Sequence, residues 1–406
     1  MKKYLKYLII IPLVGVTVSC GQSKSKYQMG TYGYDKLFFE RSNIDFIELK
    51  SEDETARLLI VPAYQGRVMT SSAGGDNGKS YGWINYKFIE SGKTDPQFNV
   101  YGGEERLWIG PEGGPYSIYF REGVSQVFEN WVVPPIIDTE WFDLASRNNE
   151  SVKFTKEASL ANASGTEFRI GIERTVTILS RILVEQSLNQ SIPEGINVVA
   201  YQTDNVITNL GNVPWTKESG LLSIWMLCMF NPSPETTVFL PYNKEAGGVI
   251  VNDDYFGKVP SDRLIVDSNT VYFKIDGKYR SKIGIPPGRA RELCGSYDSG
   301  DKVLTLLWCS LPDEPKSYVN SKWGAQDDSY NGDAINSYND GPVEDGSIMG
   351  PFYEIETSSP AAELYPNESI RHIQRIMHLQ GEKADLAGLV RGLFNLELQE
   401  IAGKFN

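Results

Sequence analysis

The chain has 406 residues, of which 41% are hydrophobic, 22% charged and 12% aromatic, enough apolar mass for a well-buried core and too much for a disordered chain. Its 38 glycines and 21 prolines follow no period and sit among many Val, Ile, Thr, Tyr and Phe residues, which is the balance of strands joined by tight turns and excludes collagen-like, coiled-coil and helical-bundle readings. The formal charge of −13, without a basic patch to offset it, excludes a nucleic-acid partner, because a phosphate backbone would be repelled.

Residues 1–19 read as a secretory signal. Lys2, Lys3 and Lys6 precede an apolar stretch from Tyr7 to Val18 that is too short for a comfortable membrane span. The ending Thr17-Val18-Ser19-Cys20-Gly21 resembles the lipobox of bacterial lipoproteins, in which the signal is cut before the cysteine and that thiol carries the lipid; Thr17 stands where Leu is usual. The resemblance implies lipidation of Cys20, with residues 20–29 as lipidated cysteine and tether. It also implies a cell-envelope localisation, on the periplasmic side or the outer-membrane surface, with the membrane reached through the anchor. Removing the signal takes three lysines and leaves the mature chain at −16. Cys228, Cys294 and Cys309 remain, an odd number without C-x-x-C spacing, which denies a zinc-ribbon or thioredoxin-type site. Cys228 and Cys309 lie in apolar runs and read as small buried hydrophobes, with one disulfide as the alternative.

From there the pattern is period 2. Strands are expected at Ala56–Pro62, Ser151–Lys156, Phe168–Ile178, Asn197–Asn209, Thr236–Leu240, Thr270–Ile275 and Lys302–Ser310, with turn clusters at Ser72–Lys79, Pro111–Pro115, Pro193–Ile196 and Asn231–Pro234. In Phe168–Ile178 one face carries Phe168, Ile170, Ile172, Val176 and Ile178, broken only by Arg174, as a half-buried antiparallel strand requires. Such a density of short strands predicts a large β-sandwich or barrel. Helix is expected mainly after Gly381, where Leu386, Leu389, Val390, Leu393 and Ile401 recur at helical spacing. With no dividing linker and no internal repeat, the expectation is one β domain over 30–381 and a helical cap of the same domain over 382–406, acting as a monomer.

Several blocks match one group of sequences: Asn99–Gly114 (NVYGGEERLWIGPEGG), Leu221–Pro234 (LLSIWMLCMFNPSP), Gly295–Asp298 (GSYD), and Tyr338–Ile370 with its YNDGP and GPFYEIETSSPAAELYPNESI segments. They resemble the DUF6786 family, a set of lipoproteins largely of Bacteroidetes, itself similar to the wider galactose-mutarotase-like group. The resemblance implies an all-β, galactose-mutarotase-like antiparallel β-supersandwich with a short C-terminal helical segment, and carbohydrate as the ligand. Aldose 1-epimerases of that group use a C-terminal glutamate and a mid-chain histidine; here His372 and His378 both follow Glu354 and Glu356, so the mid-chain histidine is missing.

The residues themselves offer a sugar site in two places. Between paired glycines, Glu104, Glu105, Arg106, Trp108 and Glu112 supply directional hydrogen bonds and an apolar plate; the alternative is a structural turn with Arg106 paired to Glu104 or Glu105 and Trp108 in the core. On the strand at 352–360, alternation puts Glu354 and Glu356 on one face, about 7 Å apart, close enough for one carboxyl to be raised beside an ionised partner. These are the catalytic candidates, with a solvated face paired to Arg371 or Arg375 as the alternative. Arg67, read as ending a strand, Tyr338, Asn339 and Asp340 are further ligand-binding candidates. His372 and His378 share a face about 20 Å apart and cannot hold one metal. Each is a candidate proton donor or a satisfied structural residue. No metal or cofactor is expected: the acidic loop Asp327–Asp333 lacks EF-hand spacing, and no Walker or G-x-G-x-x-G pattern occurs. Three functions follow: a carbohydrate-binding lipoprotein serving glycan utilisation, an epimerase- or isomerase-type enzyme using a C-terminal glutamate, or a structural lipoprotein with an empty cleft. A Cys20→Ser chain should lose labelling by a fatty-acid probe and leave the membrane fraction; retention of the label would sink the anchor.

Overall fold

Strand alternation sets up two large antiparallel sheets. In the strand Glu167–Ile178 every second side chain from Phe168 onward is buried, while Glu167, Arg169 and Glu173 are exposed. The strand needs a second layer to cover its apolar face. The computed structural model describes residues 26–343 and 345–405; the signal, Cys20 and the start of the tether lie outside the described residues.

Ten strands form the larger sheet, in the order Leu264–Val266, Thr270–Lys274, Thr236–Pro241, Leu293–Asp298, Val303–Cys309, Ser369–Gln380, Asn197–Asn209, Glu167–Ile178, Ser151–Ala161 and Asp143–Arg147. Five form the smaller one: Ser281–Ile285, Ile335–Asn339, Tyr353–Ser358, Ser223–Phe230 and Arg106–Gly110. A three-stranded sheet, Ile47–Lys50, Arg57–Val61 and Arg67–Ser72, joins the smaller sheet through a bridge between Val68 and Glu105. Leu107, Ile109, Ile224, Met226, Cys228, Ile283, Ile355 and Ile376 belong to the main core, with Phe154, Val176 and Ile207. Cys228, Cys294 and Cys309 are free and buried, so no disulfide forms among the described residues.

The helices depart from expectation. Tyr32–Arg41, Tyr86–Glu90 and Arg181–Leu188 precede Gly381, besides Lys383–Phe394 and Leu398–Gly403 after it. Tyr32–Arg41 carries little helical periodicity, but Phe38 and Phe39 pack with Leu59, Val61 and Met69 of the three-stranded sheet, so tertiary burial rather than local pattern makes it a helix. Arg181–Leu188 is bounded by local chemistry: the Ser180 hydroxyl accepts from the Leu183 N–H, and Asn189 ends it in the left-handed conformation. The C-terminal pair packs Leu386, Leu389, Val390 and Ile401 with Phe239, Tyr297, Leu304 and Met377 of the ten-stranded sheet. A second departure concerns Arg67, which begins a strand after the turn Pro62–Tyr64 rather than ending one.

Charge is enclosed between the sheets. Arg174, the residue that breaks its strand's apolar face, is fully buried and paired with fully buried Glu105. It also donates to the Asn205 side chain at 2.8 Å and to the Gly66 carbonyl at 3.1 Å, while Thr203 donates to Glu105 at 2.8 Å. Removing one partner strands the other charge in a dry interior. Glu105→Ala should therefore cost about 3–5 kcal/mol of stability, read by urea unfolding; a loss within error would show that water reaches the pair.

Candidate functional site

Because neighbouring residues on a strand face opposite ways, the five-stranded sheet turns a second row of side chains away from the core. Register brings them together: Arg106 lies opposite Leu227, Leu227 opposite Glu356, and Glu356 opposite Asn336, while Met229, Glu354, Tyr338 and Lys282 form the adjacent row. Loops cover this face and enclose a cavity of about 110 Å³ lined by Phe98, Arg106, Trp108, Glu112, Phe128, Trp131, Trp225, Leu227, Met229, Phe256, Arg280, Lys282, Trp323, Tyr338, Met349, Phe352, Glu354 and Glu356. Nine of these are aromatic. Phe128, Phe256, Trp323 and Met349 form an exposed rim.

The floor is ionic. Arg106 donates from Nη2 to Glu354 Oε1 at 3.1 Å, and Lys282 Nζ and Trp225 Nε1 donate to Glu356 Oε2 at 2.8 and 2.9 Å. The Arg106 guanidinium also lies 4.4 Å from the Trp108 ring centre, and Lys282 Nζ lies 4.9 Å from that of Trp225. Five buried polar atoms of these lining residues have no partner: Arg106 Nε and Nη1, Trp108 Nε1, Trp131 Nε1 and Glu356 Oε1. Burial pushes the Glu354 carboxyl up to about 8, with Arg106 opposing and Glu356 adding to the rise. Burial likewise raises Glu112, against the pull of Lys282. For Lys282 burial acts downward, and Glu356 and Glu112 outweigh it, leaving the ammonium above its usual range.

Asp340 stands behind the floor. It accepts from the Tyr338 hydroxyl at 2.9 Å and from the Gly350 N–H at 3.0 Å, and the Arg280 Nε donates to the same hydroxyl at 3.3 Å. Burial raises the Asp340 carboxyl despite those two donors. Asn339 holds the preceding turn by accepting from the Gly277 N–H at 2.9 Å and donating to the Tyr279 carbonyl at 2.8 Å, so it positions Arg280 rather than lining the cavity.

The other sequence-selected residues lie elsewhere. Glu104 and Glu105 are inside the sandwich, behind the sheet. Glu104 accepts from Ser71 at 2.8 Å and meets His378 Nε2 at 3.0 Å, and His378 stacks on Tyr81 at 4.2 Å. His372 meets the Thr357 hydroxyl at 2.8 Å, and that hydroxyl donates to Gln374 at 2.7 Å. Burial lowers His372 to about 4, so the ring is neutral. Thr357 alternates with Glu356 along its strand, so both histidines sit on the core side and the glutamates on the cavity side. Arg67 is buried too, donating to the Gly102 carbonyl at 2.7 Å and to Gln65 at 3.1 Å. The paired glycines bring backbone close to protein: Gly102 and Gly103 have φ of +86° and +119°, and an added Cβ would lie 2.3 Å from the Trp83 carbonyl oxygen or 2.4 Å from Arg67 Cδ. Neither expected pairing of the acids occurs. Arg106 takes Glu354 rather than Glu104 or Glu105, and Arg371 pairs with Asp204 while Arg375 binds Gln202. Among the described residues no group of three or more His, Cys, Asp or Glu is placed to hold a metal. Asp333 of the acidic loop is instead buried against Asn252 and Tyr255, which donate to it.

A family model described as a family of unknown function, DUF6786, matches residues 30–405. The chain belongs to the DUF6786 family. No curated protein matches the sequence. Among solved structures, the Slr1438 protein from Synechocystis sp. PCC 6803 is similar at 12% identity and a TM-score of 0.50, over 84% of this chain and 96% of that one. A protein from Escherichia coli K12, provisionally an aldose 1-epimerase, gives 9% identity and 0.48, over 82% and 99%. A galactose mutarotase-like protein from Lactobacillus casei ATCC 334 gives 11% and 0.45, over 82% and 100%. At such identities the likeness is one of fold, and the DUF6786 chain is a mostly β protein of antiparallel sheets with short C-terminal helices.

Sequence reasoning missed two-thirds of this cavity: of its eighteen lining residues it singled out Arg106, Trp108, Glu112, Tyr338, Glu354 and Glu356. Trp225 and Met229 were hidden in the apolar run SIWMLCMF, where alternate residues serve opposite faces. Lys282 carried a usable signal, a lone cation in the short apolar strand SKIGI. Trp131, Phe128, Phe256 and Trp323 come from loops that no periodicity marks. Raised Glu354 has a measurable consequence. Between its ordinary value near 4.5 and about 8 the native state holds a proton that the unfolded chain has released, so this group's contribution to stability falls as pH rises through that window. Glu354→Gln should flatten the decline in melting temperature from pH 5 to 8; an unchanged slope would mean that Glu354 is ionised in the native state.

Proposed function

We propose that this chain is a lipid-anchored protein of the cell envelope that binds a carbohydrate in the cavity on the outer face of the five-stranded sheet, in the service of glycan utilisation. The observation that carries the reading is the pairing of aromatic walls with buried, unpartnered hydrogen-bonding atoms on Arg106, Trp108, Trp131 and Glu356. A sugar ring presents C–H faces to aromatic planes and hydroxyls, each both donor and acceptor, to fixed polar groups, so it satisfies both parts of such a lining. The anchor at Cys20 would hold this pocket at a membrane surface where soluble glycans pass.

A second reading, proton transfer on a sugar, draws on Glu354, whose burial holds it protonated beside Glu356, with the Tyr338 hydroxyl on the same face. Exchange between α and β anomers of several aldoses, followed by polarimetry, separates catalysis from binding. For binding itself, a glycan-array screen of the chain names the ligand and calorimetry measures it. Arg106→Ala should weaken that ligand by about 1–3 kcal/mol. Trp323→Ala, at the exposed rim, should weaken it with no change in melting temperature. Wild-type affinity in both variants would remove this cavity from the function.

A further inference from the structure

The proposed sugar site has a bias in its unpartnered atoms that narrows the class of sugar. Four of the five are donors, Arg106 Nε and Nη1 with the indole nitrogens of Trp108 and Trp131, and one, Glu356 Oε1, is an acceptor. A neutral sugar offers donors and acceptors in equal measure through its hydroxyls, whereas a carboxylate only accepts. Leaving any of these buried donors unmet carries a desolvation cost, so the ligand that meets most of them binds best. From these atoms we infer that the cavity takes a sugar unit bearing a carboxylate, a uronate, with the carboxylate at Arg106 and a hydroxyl at Glu356. This deepens the carbohydrate reading and rests on it.

Charge in the lining agrees. Arg106, Arg280 and Lys282 face Glu112, Glu354 and Glu356, three of each sign. Lys282 and Glu356 neutralise one another at 2.8 Å. Among the described residues Glu354 is the only acid bonded to Arg106, and burial pushes its carboxyl up, which weakens its hold on the Arg106 charge. A single guanidinium with spare donors matches a monoanion better than a doubly charged phosphate ester. The overall charge of −13 opposes any anion at long range, but salt screens that field beyond about 8–10 Å, while contacts within a covered cavity are screened much less.

Calorimetry on the full chain in detergent, with D-glucuronate, D-galacturonate and D-mannuronate against D-glucose, D-galactose, D-mannose and their 6-phosphates, tests the inference. At least one uronate should bind tenfold or more tighter than its neutral counterpart, and the preference should shrink as pH rises past about 8, where ionised Glu354 repels the carboxylate. Arg106→Gln should bring the ratio of uronate to neutral affinity close to one in a chain that still melts cooperatively, which separates lost recognition from lost folding; a ratio as in the wild type would overturn the assignment. Equal affinity for neutral and acidic sugars in the wild type would overturn the uronate and leave the sugar site standing. Tightest binding of a 6-phosphate would also overturn it, in favour of an ester anion. No binding of any sugar in the panel would overturn the uronate assignment and count against the carbohydrate reading itself.

Discussion

Both faces of the five-stranded sheet are covered, one by the ten-stranded sheet and the other by loops, and this double burial governs the rest of the molecule. Its strands read as fully buried: all eight residues of Ser223–Phe230 and all six of Tyr353–Ser358 are withdrawn from water. An antiparallel sheet with one wet face can place its charges in solvent. Here Glu354 and Glu356 have no such outlet, so each must find a cation or give up its charge. Glu356 finds Lys282 two strands away, and Glu354 meets Arg106 from the opposite edge and is pushed up all the same. The loops that dry the site also supply its aromatic walls, so enclosure and recognition have one origin.

The two ionic clusters differ in what they leave unsatisfied. Between the sheets, Glu105 and Arg174 are met by Thr203, Asn205, Gln374 and the Gly66 carbonyl. Such a network specifies how the sheets register on one another and offers little to a ligand. On the outer face, the pairs Arg106–Glu354 and Lys282–Glu356 use only part of the capacity of their groups, and the remaining donors and acceptor are confined with the aromatic rings. Glu105 and Arg106 are adjacent in sequence, yet strand alternation sends one into the scaffold and the other into the cavity. The Glu105–Arg174 network lies behind the cavity floor and braces it.

Much of the scaffold was legible in the amino-acid sequence because its signals are local. Period-2 alternation marks Glu167–Ile178 and Asn197–Asn209, and the heptad-like spacing of Leu386, Leu389 and Val390 marks the last long helix. The Glu354–Glu356 pair was legible for the same reason, since alternation alone puts both on one face. The helix Tyr32–Arg41 was not, because its burial depends on a sheet formed by residues that follow it. The strand Arg106–Gly110 was hidden as well: its glycine-rich approach looks like a loop, and it is buried on both sides, so no polar face breaks the run.

What the sequence determined by itself is which side chains share a strand face, because that needs only the pleat. What the tertiary structure decided is which face meets a partner layer and which partner each charge obtains. Arg106 and Glu354 are 248 residues apart, Lys282 and Glu356 are 74 apart, and no local pattern relates them. Strand order and register bring each pair together, and loops from distant parts of the chain then remove the water. The same step sent His372, His378, Glu104 and Arg67 into the core: whether a polar residue serves structure or ligand depends on which side of a sheet is enclosed by what, and that is a property of the assembled layers.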